Sequence, residues 1–124
     1  MKFLCVCYYD AEAFDKLTPA DFEKLRGICA PRDKELKESG KVSLIGSLGR
    51  PHQFKTLRVD RNSVRIENGP YAETKEPFGA FFIVEADTID EAVEIARLHP
   101  GTHIGELFGG GIEVRPIGMF ETVG

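Results

Sequence analysis

The sequence predicts an α+β fold of the ferredoxin-like, split β-α-β kind with an inserted β-hairpin. Three observations predict it. Two strand-like runs, 2–9 and 78–86, are apolar on both faces and so belong at the centre of a covered sheet. Two helical patterns, each opened by a threonine cap, follow one of these runs each. A hairpin pattern stands between the second strand and the third. The order strand, helix, strand, hairpin, strand, helix, strand is that of a split β-α-β unit.

Each element has its own warrant. In Lys2–Tyr9, Phe3, Cys5, Cys7 and Tyr9 alternate with Leu4, Val6 and Tyr8, so both faces are apolar. Thr18, Pro19 and Asp21 open the first helix, and Phe22, Leu25, Ile28 and Cys29 give its stripe. Pro31 lacks an N–H and is expected to kink or split that helix near Gly27–Ala30. Residues 32–39 resume it, with Leu36 apolar among charges, and Gly40 stops it. Residues 42–48 read as the second strand, with Gly46 and Gly49 leaving room for close backbone approach. Residues 53–59 and 63–67 read as the hairpin around Asp60-Arg61-Asn62; Ser63, Arg65 and Glu67 make one wet face. In 78–86, Phe78, Ala80, Phe82 and Val84 face one side, and Phe81 and Ile83 the other. Thr88 and Glu91 form a capping box ahead of Ile89, Ala92, Val93 and Ala96, with Ile95 and Leu98 beside them. Residues 101–111 read as a glycine-rich loop, and 112–117 as the last strand.

Two helices cover only one face of such a sheet. About ten apolar side chains on the other face, at ~1.5–3 kcal/mol each, would gain on the order of 15–30 kcal/mol from cover, before association costs. A second copy of the chain is the simplest cover, so a homodimer with a barrel-like core is expected.

The bulk properties set limits. A chain of 124 residues suits a single domain, here 1–124, with a core that needs no disulfides. Net charge is −4 and the basic residues are scattered, which argues against nucleic acid as a partner. No apolar run suits a membrane span, and the N-terminal run lacks a cleavage site, so a cytoplasmic protein is expected. Three cysteines leave at least one unpaired, in keeping with reduced thiols.

The densest stretch is Asn68-Gly69-Pro70-Tyr71-Ala72-Glu73-Thr74-Lys75-Glu76. It resembles the Asp-Gly-Pro-Phe signature of the YCII-related, DGPF-type proteins. Gly79–Val84, Asp90-Glu91-Ala92 and Glu113-Val114-Arg115-Pro116 follow in that family's order, so the resemblance covers essentially the whole chain. Asparagine replaces aspartate at 68 and tyrosine replaces phenylalanine at 71. The resemblance implies a dimeric α+β barrel and leaves the reaction open. Some relatives are thought to pair a histidine on the first helix with an aspartate on the loop. Here the nearest positions hold Asp21 and Asn68, so that dyad is not carried over.

The loop, on a rigid sheet, is the expected site. Glu73 and Lys75 bring an acid or base and a cation beside Thr74, and His52 adds an imidazole; these three are the candidate catalytic residues. Tyr8, Asn68, Gly69, Tyr71, Thr74 and Arg115 are the candidate ligand contacts, Arg115 for a carboxylate. Each has a plainer alternative: turn-shaping hydrogen bonds for Asn68 and Thr74, solvated charge for Glu73 and Lys75, an ion pair for Glu113 and Arg115. His99 reads as a helix-end residue whose charged form the dipole would favour, and Cys5, Cys7 and Cys29 as core. No metal site and no cofactor is expected: His99 and His103 are separated by Pro100-Gly101, and Gly109-Gly110-Gly111 precedes a strand rather than a helix. These readings favour a pocket between sheet and helix, near the 68–79 loop. It would hold a small anionic or aromatic molecule and support cofactor-free acid–base chemistry of isomerase or lyase type. The alternative is a ligand-sensing or accessory domain that docks on a partner protein.

Overall fold

The computed structural model describes residues 1–124. Its elements in chain order are β1 (Lys2–Tyr8), α1 (Ala11–Asp15), α2 (Pro19–Glu38), β2 (Val42–Ser47), β3 (Lys55–Asp60), β4 (Ser63–Asn68), β5 (Phe78–Glu85), α3 (Ile89–Ala96), α4 (Gly105–Phe108) and β6 (Gly111–Pro116), with 3-10 turns at Pro51–Gln53 and Pro100–Thr102. The main sheet is antiparallel in the order β2-β5-β1-β6, and β3 and β4 form a separate two-stranded sheet. With the hairpin set aside, this is the expected ferredoxin-like arrangement, β1 and β5 lying at the centre. No helix is long and apolar enough to cross a membrane.

The core lies on the helix side of the sheet. Phe3, Cys5 and Cys7 of β1 face Val84, Phe82 and Ala80 of β5, with Val114 and Ile112 of β6 beside them. Leu36 from α2 and Ala92, Ile95 and Ala96 from α3 close over them. Leu36, isolated among charges in sequence, is wholly buried. Burial of a side chain of its size contributes about 1.5–3 kcal/mol.

One register shift organises the end of the sheet. Cys7 pairs with Ala80, whereas Tyr8 pairs with Phe78, skipping Gly79. Phe78 is therefore turned to the far face, not the helix face predicted from alternation; its ring lies 6.4 Å from Tyr8 and 6.2 Å from Phe81. Tyr9 stays on the helix side, with its ring across Gly79: a Cβ there would meet that ring at 2.5 Å. Gly110 fits equally closely, since a Cβ would lie 1.9 Å from the Tyr8 carbonyl oxygen.

The far face departs from expectation too. Val6 and Ile83 are buried within the single chain. Val6 sits between Phe81 and Glu113 in register, and the Phe81 ring lies over Gly46 of β2. Exposed apolar surface lies instead at Leu44 and, above all, on the hairpin, where Leu57 faces Ile66 and Val59 faces Val64. On the face predicted to be wet, Ser63 and Arg65 are exposed, while Glu67 is half-buried with Thr56 and Arg58 of β3.

Both threonine caps form, but only the first closes a capping box. Thr18 and Asp21 form a reciprocal box at α2, at 3.2 and 2.9 Å. Thr88 caps α3, while Glu91 reaches the N–H of Asp87 rather than that of Thr88. Two short helices escape the sequence reading: α1, capped by Asp10, and α4, inside the stretch read as a loop. The expected split at Pro31 does not occur. Helix α2 runs unbroken from 19 to 38, with its start capped by Thr18 and its last turns anchored by buried Leu36. Pro31 still offers no N–H to the carbonyl of Gly27, and it is exposed. Pro31→Ala should therefore raise stability by about 1–2 kcal/mol: the interior-proline penalty of ~3 kcal/mol is relieved, and roughly 1 kcal/mol is lost as the unfolded chain gains freedom. Urea denaturation checks this.

Candidate functional site

The 68–79 loop is tied down at both ends by its backbone. Gly69 N–H donates to the Phe54 carbonyl at 2.7 Å, and the Thr56 hydroxyl donates to the Gly69 carbonyl at 2.8 Å. Further on, the carbonyls of Lys75 and Pro77 accept from Ala11 and Tyr9 at 3.1 and 3.3 Å. The loop thus fixes the β1–α1 junction, which positions the only α1 aromatic, Phe14. The Phe14 ring packs edge-on to Tyr9, Phe22 and Phe108, at 5.6, 5.9 and 5.4 Å.

Behind this aromatic cluster is a pocket of about 330 Å³ between sheet and helices. Cys7, Ser47 and Ala80 supply its sheet side; Phe14 from α1, Cys29 from α2, His99 and Phe108 line the rest. Arg50, from the β2–β3 connection, is the only side chain lining it that carries a permanent charge. Its Nε donates to the Tyr9 hydroxyl at 3.1 Å and its Nη2 to Asp15 Oδ1 at 2.7 Å. The guanidinium lies over the Phe14 ring at 4.6 Å. The hydrogen bond to Asp15 comes first among the causes holding its pKa above the usual range.

Two groups of the pocket, His99 and Cys7, are neutral at physiological pH. The His99 ring stacks parallel on Phe82, with centroids 4.6 Å apart, and its Nδ1 accepts from Gly101 N–H at 2.9 Å. The proton of the neutral ring therefore sits on Nε2. Burial lowers the His99 pKa to about 4 and outweighs the opposing charge of Asp33. The helix-end effect predicted from sequence, a favoured imidazolium, is thus reversed by desolvation. Cys7 Sγ lies 4.0 Å from both ring nitrogens, and burial pushes this thiol up to about 12 and that of Cys5 to about 11. Cys7 and His99 are the nearest approach to a soft-metal pair, and no group of three or more potential ligands is gathered.

The residues singled out from sequence lie mostly elsewhere. Glu73 is exposed and makes no side-chain hydrogen bond or ion pair; Lys75 pairs with Asp10 at 3.6 Å; His52 is exposed in the 3-10 turn. None of the three lines the pocket. Asp10 itself is held below the usual carboxylate range, first by the Ala13 N–H. Asn68 accepts from the Lys55 ammonium across the hairpin at 2.7 Å instead of making a turn-shaping backbone bond, whereas Thr74 accepts from Glu76 N–H at 3.2 Å, as the plainer reading had it. Tyr71 is exposed beneath the Arg58 guanidinium, 4.1 Å from the ring centroid. Tyr8 and Arg115 do come together, on the far face: Arg115 Nη2 donates to the Tyr8 hydroxyl at 3.1 Å, and Arg115 Nε pairs with Glu113. Tyr8 and Thr74 share a second, open depression with Glu113, and Tyr8 also reaches the pocket wall. The sequence reading missed Arg50, Tyr9, Phe14 and His99 as a group. The available signal was weak: an arginine ahead of a proline at a strand end, and a His-Pro-Gly helix stop.

Stability should report the state of His99. The unfolded imidazole takes up a proton near 6.5, whereas the folded one resists until about 4. Stability is therefore full above 6.5, falls as pH drops from about 6.5 to 4, and levels off below. The loss should be about 1–3 kcal/mol, the lower part of the range reflecting the ring's partial exposure. Denaturant titrations of wild type and His99→Gln should diverge in this window and run parallel above it.

The chain is 26% identical over 125 residues to the uncharacterised protein R00369 of Rhizobium meliloti (strain 1021), which covers 98% of this chain and 95% of that one. Among solved structures it is similar to 5-chloro-2-hydroxyhydroquinone dehydrochlorinase (TftG) from Burkholderia phenoliruptrix AC1100, in complex with 2,5-dihydroxybenzoquinone. That match has 22% identity, covers 91% of each chain and has a TM-score of 0.45. The model of the YCII-related domain matches residues 1–121, and the chain belongs to the YCII-related family.

Proposed function

We propose that this protein is a homodimer that binds a small aromatic molecule in the pocket between sheet and helices. The pocket carries the reading: about 330 Å³, walled mainly by apolar and aromatic groups, with the few polar groups of Arg50, Tyr9 and His99 set among them. Its size suits a one- or two-ring compound. His99 would present Nε2–H as a donor to it. With His99 titrating near 4 and Cys7 near 12, the pocket offers hydrogen bonding rather than a base poised near neutrality. Glu73, Lys75 and His52 stand outside it, so the isomerase or lyase reading has less support than ligand binding or sensing.

The dimer reading rests on the hairpin. Four apolar side chains, Leu57, Val59, Val64 and Ile66, are 59–69% exposed and share one face. A covered apolar face is what a two-stranded sheet needs to persist. A second copy offers the same face, which a two-fold contact pairs with itself.

Two measurements test these readings. Light scattering should find a dimer in wild type and a monomer in Ile66→Glu; a wild-type monomer at high concentration removes the dimer. Calorimetric titration with naphthalene-type probes should show binding that Cys29→Phe, which fills the pocket, weakens at least tenfold, or ~1.4 kcal/mol. Unchanged affinity in that variant would place the ligand elsewhere.

A further inference from the structure

We infer that Arg50 anchors the carboxylate of an aromatic ligand in this pocket, and that Asp15, which pairs with the same guanidinium, competes for it. The inference rests on the pocket reading above and names the class of molecule: a planar, apolar monocarboxylate.

Four observations lead to it. First, Arg50 is the single permanent charge among the lining residues, so a ligand that matches the pocket is apolar with one anionic end. Second, the guanidinium is only partly used. Nε and Nη2 have partners in Tyr9 and Asp15, and no hydrogen bond engages Nη1. A planar fork with donors to spare suits a carboxylate. Third, the fork is held in place, over the rings of Phe14 at 4.6 Å and Tyr9 at 5.7 Å. It need not be ordered on binding. Fourth, the present partner is replaceable. Asp15 reaches Arg50 through one oxygen, its side chain is 62% exposed, and it stands in the last turn of α1. An exposed, singly bonded carboxylate gains little from its arginine, whereas a ligand carboxylate beside the Phe14 and Tyr9 rings is better shielded from water. Arg115, the carboxylate holder suggested by the sequence, is engaged with Glu113 and Tyr8 on the opposite face of the sheet.

The test is calorimetric titration of the full chain with naphthoate and its neutral counterpart naphthamide. Wild type should bind naphthoate at least tenfold more tightly than naphthamide. Asp15→Asn, a surface change that leaves the fold intact, should tighten naphthoate several-fold and leave naphthamide unchanged. Arg50→Met should abolish the preference, with folding checked by urea denaturation. If both probes bind equally to wild type and Cys29→Phe blocks both, the anchor is wrong and the pocket stands. If neither binds, the pocket reading falls and the anchor with it. Equal affinities of wild type and Asp15→Asn for naphthoate would overturn the competition.

Discussion

The site depends on one register shift. Between Cys7 and Tyr8 the strand pairing skips Gly79, which turns Phe78 to the far face and leaves bare backbone where the Tyr9 ring lies. Tyr8 goes to the far face, where Arg115 and Glu113 meet its hydroxyl. Tyr9 lies across the bare backbone of Gly79 and faces the helices. From there its ring orders Phe14 and Phe108, and its hydroxyl accepts from Arg50. Any side chain at 79 would displace the Tyr9 ring and, with it, the wall of the pocket. A bulge beside a cleft is a common way for a strand to re-aim side chains.

Polarity is graded from inside to rim. Deep in the pocket, burial keeps His99 and Cys7 uncharged, and no buried side-chain polar atom lacks a partner. The permanent charge is held where Asp15 and solvent share it. Desolvation disfavours a second charge further in, so the proposed ligand would be oriented by its polar end at Arg50 and its ring against Phe14. The 68–79 loop contributes indirectly. Its backbone carbonyls hold the β1–α1 junction, and its charged side chains point to solvent.

The sheet, both long helices and their caps were legible because each is carried by a local pattern: alternation in 2–8, Thr18 with Asp21, Thr88 ahead of Ile89. The site was less legible because it is made by contacts far apart in sequence. Arg50 meets Asp15 and Tyr9 across more than thirty residues. The dense loop drew attention to Glu73 and Lys75 through composition, yet density of ionisable groups there reflects exposure. His99 was read from its place at a helix end, and only the packing against Phe82 shows that desolvation outweighs the dipole. Pro31 does not split the helix, since a helix capped at its start and packed near its end tolerates a missing hydrogen bond.

The hairpin shows the same limit from another side. Alternation separates its apolar residues from its polar ones, but it cannot say which set faces the body of the molecule. Here the polar set does: Arg58 pairs with Glu67 at 2.9 Å and covers Tyr71, and Thr56 binds the loop at Gly69. Partly exposed contacts of this kind contribute on the order of 1 kcal/mol or less each. They do not offset leaving Leu57, Val59, Val64 and Ile66 in water, where cover would gain about 1.5–3 kcal/mol per side chain. A two-stranded arm is marginal alone, and its outward apolar face makes sense when something packs on it. The polar contacts set the arm's direction, and in the proposed dimer the energy that holds it would come from the surface it meets.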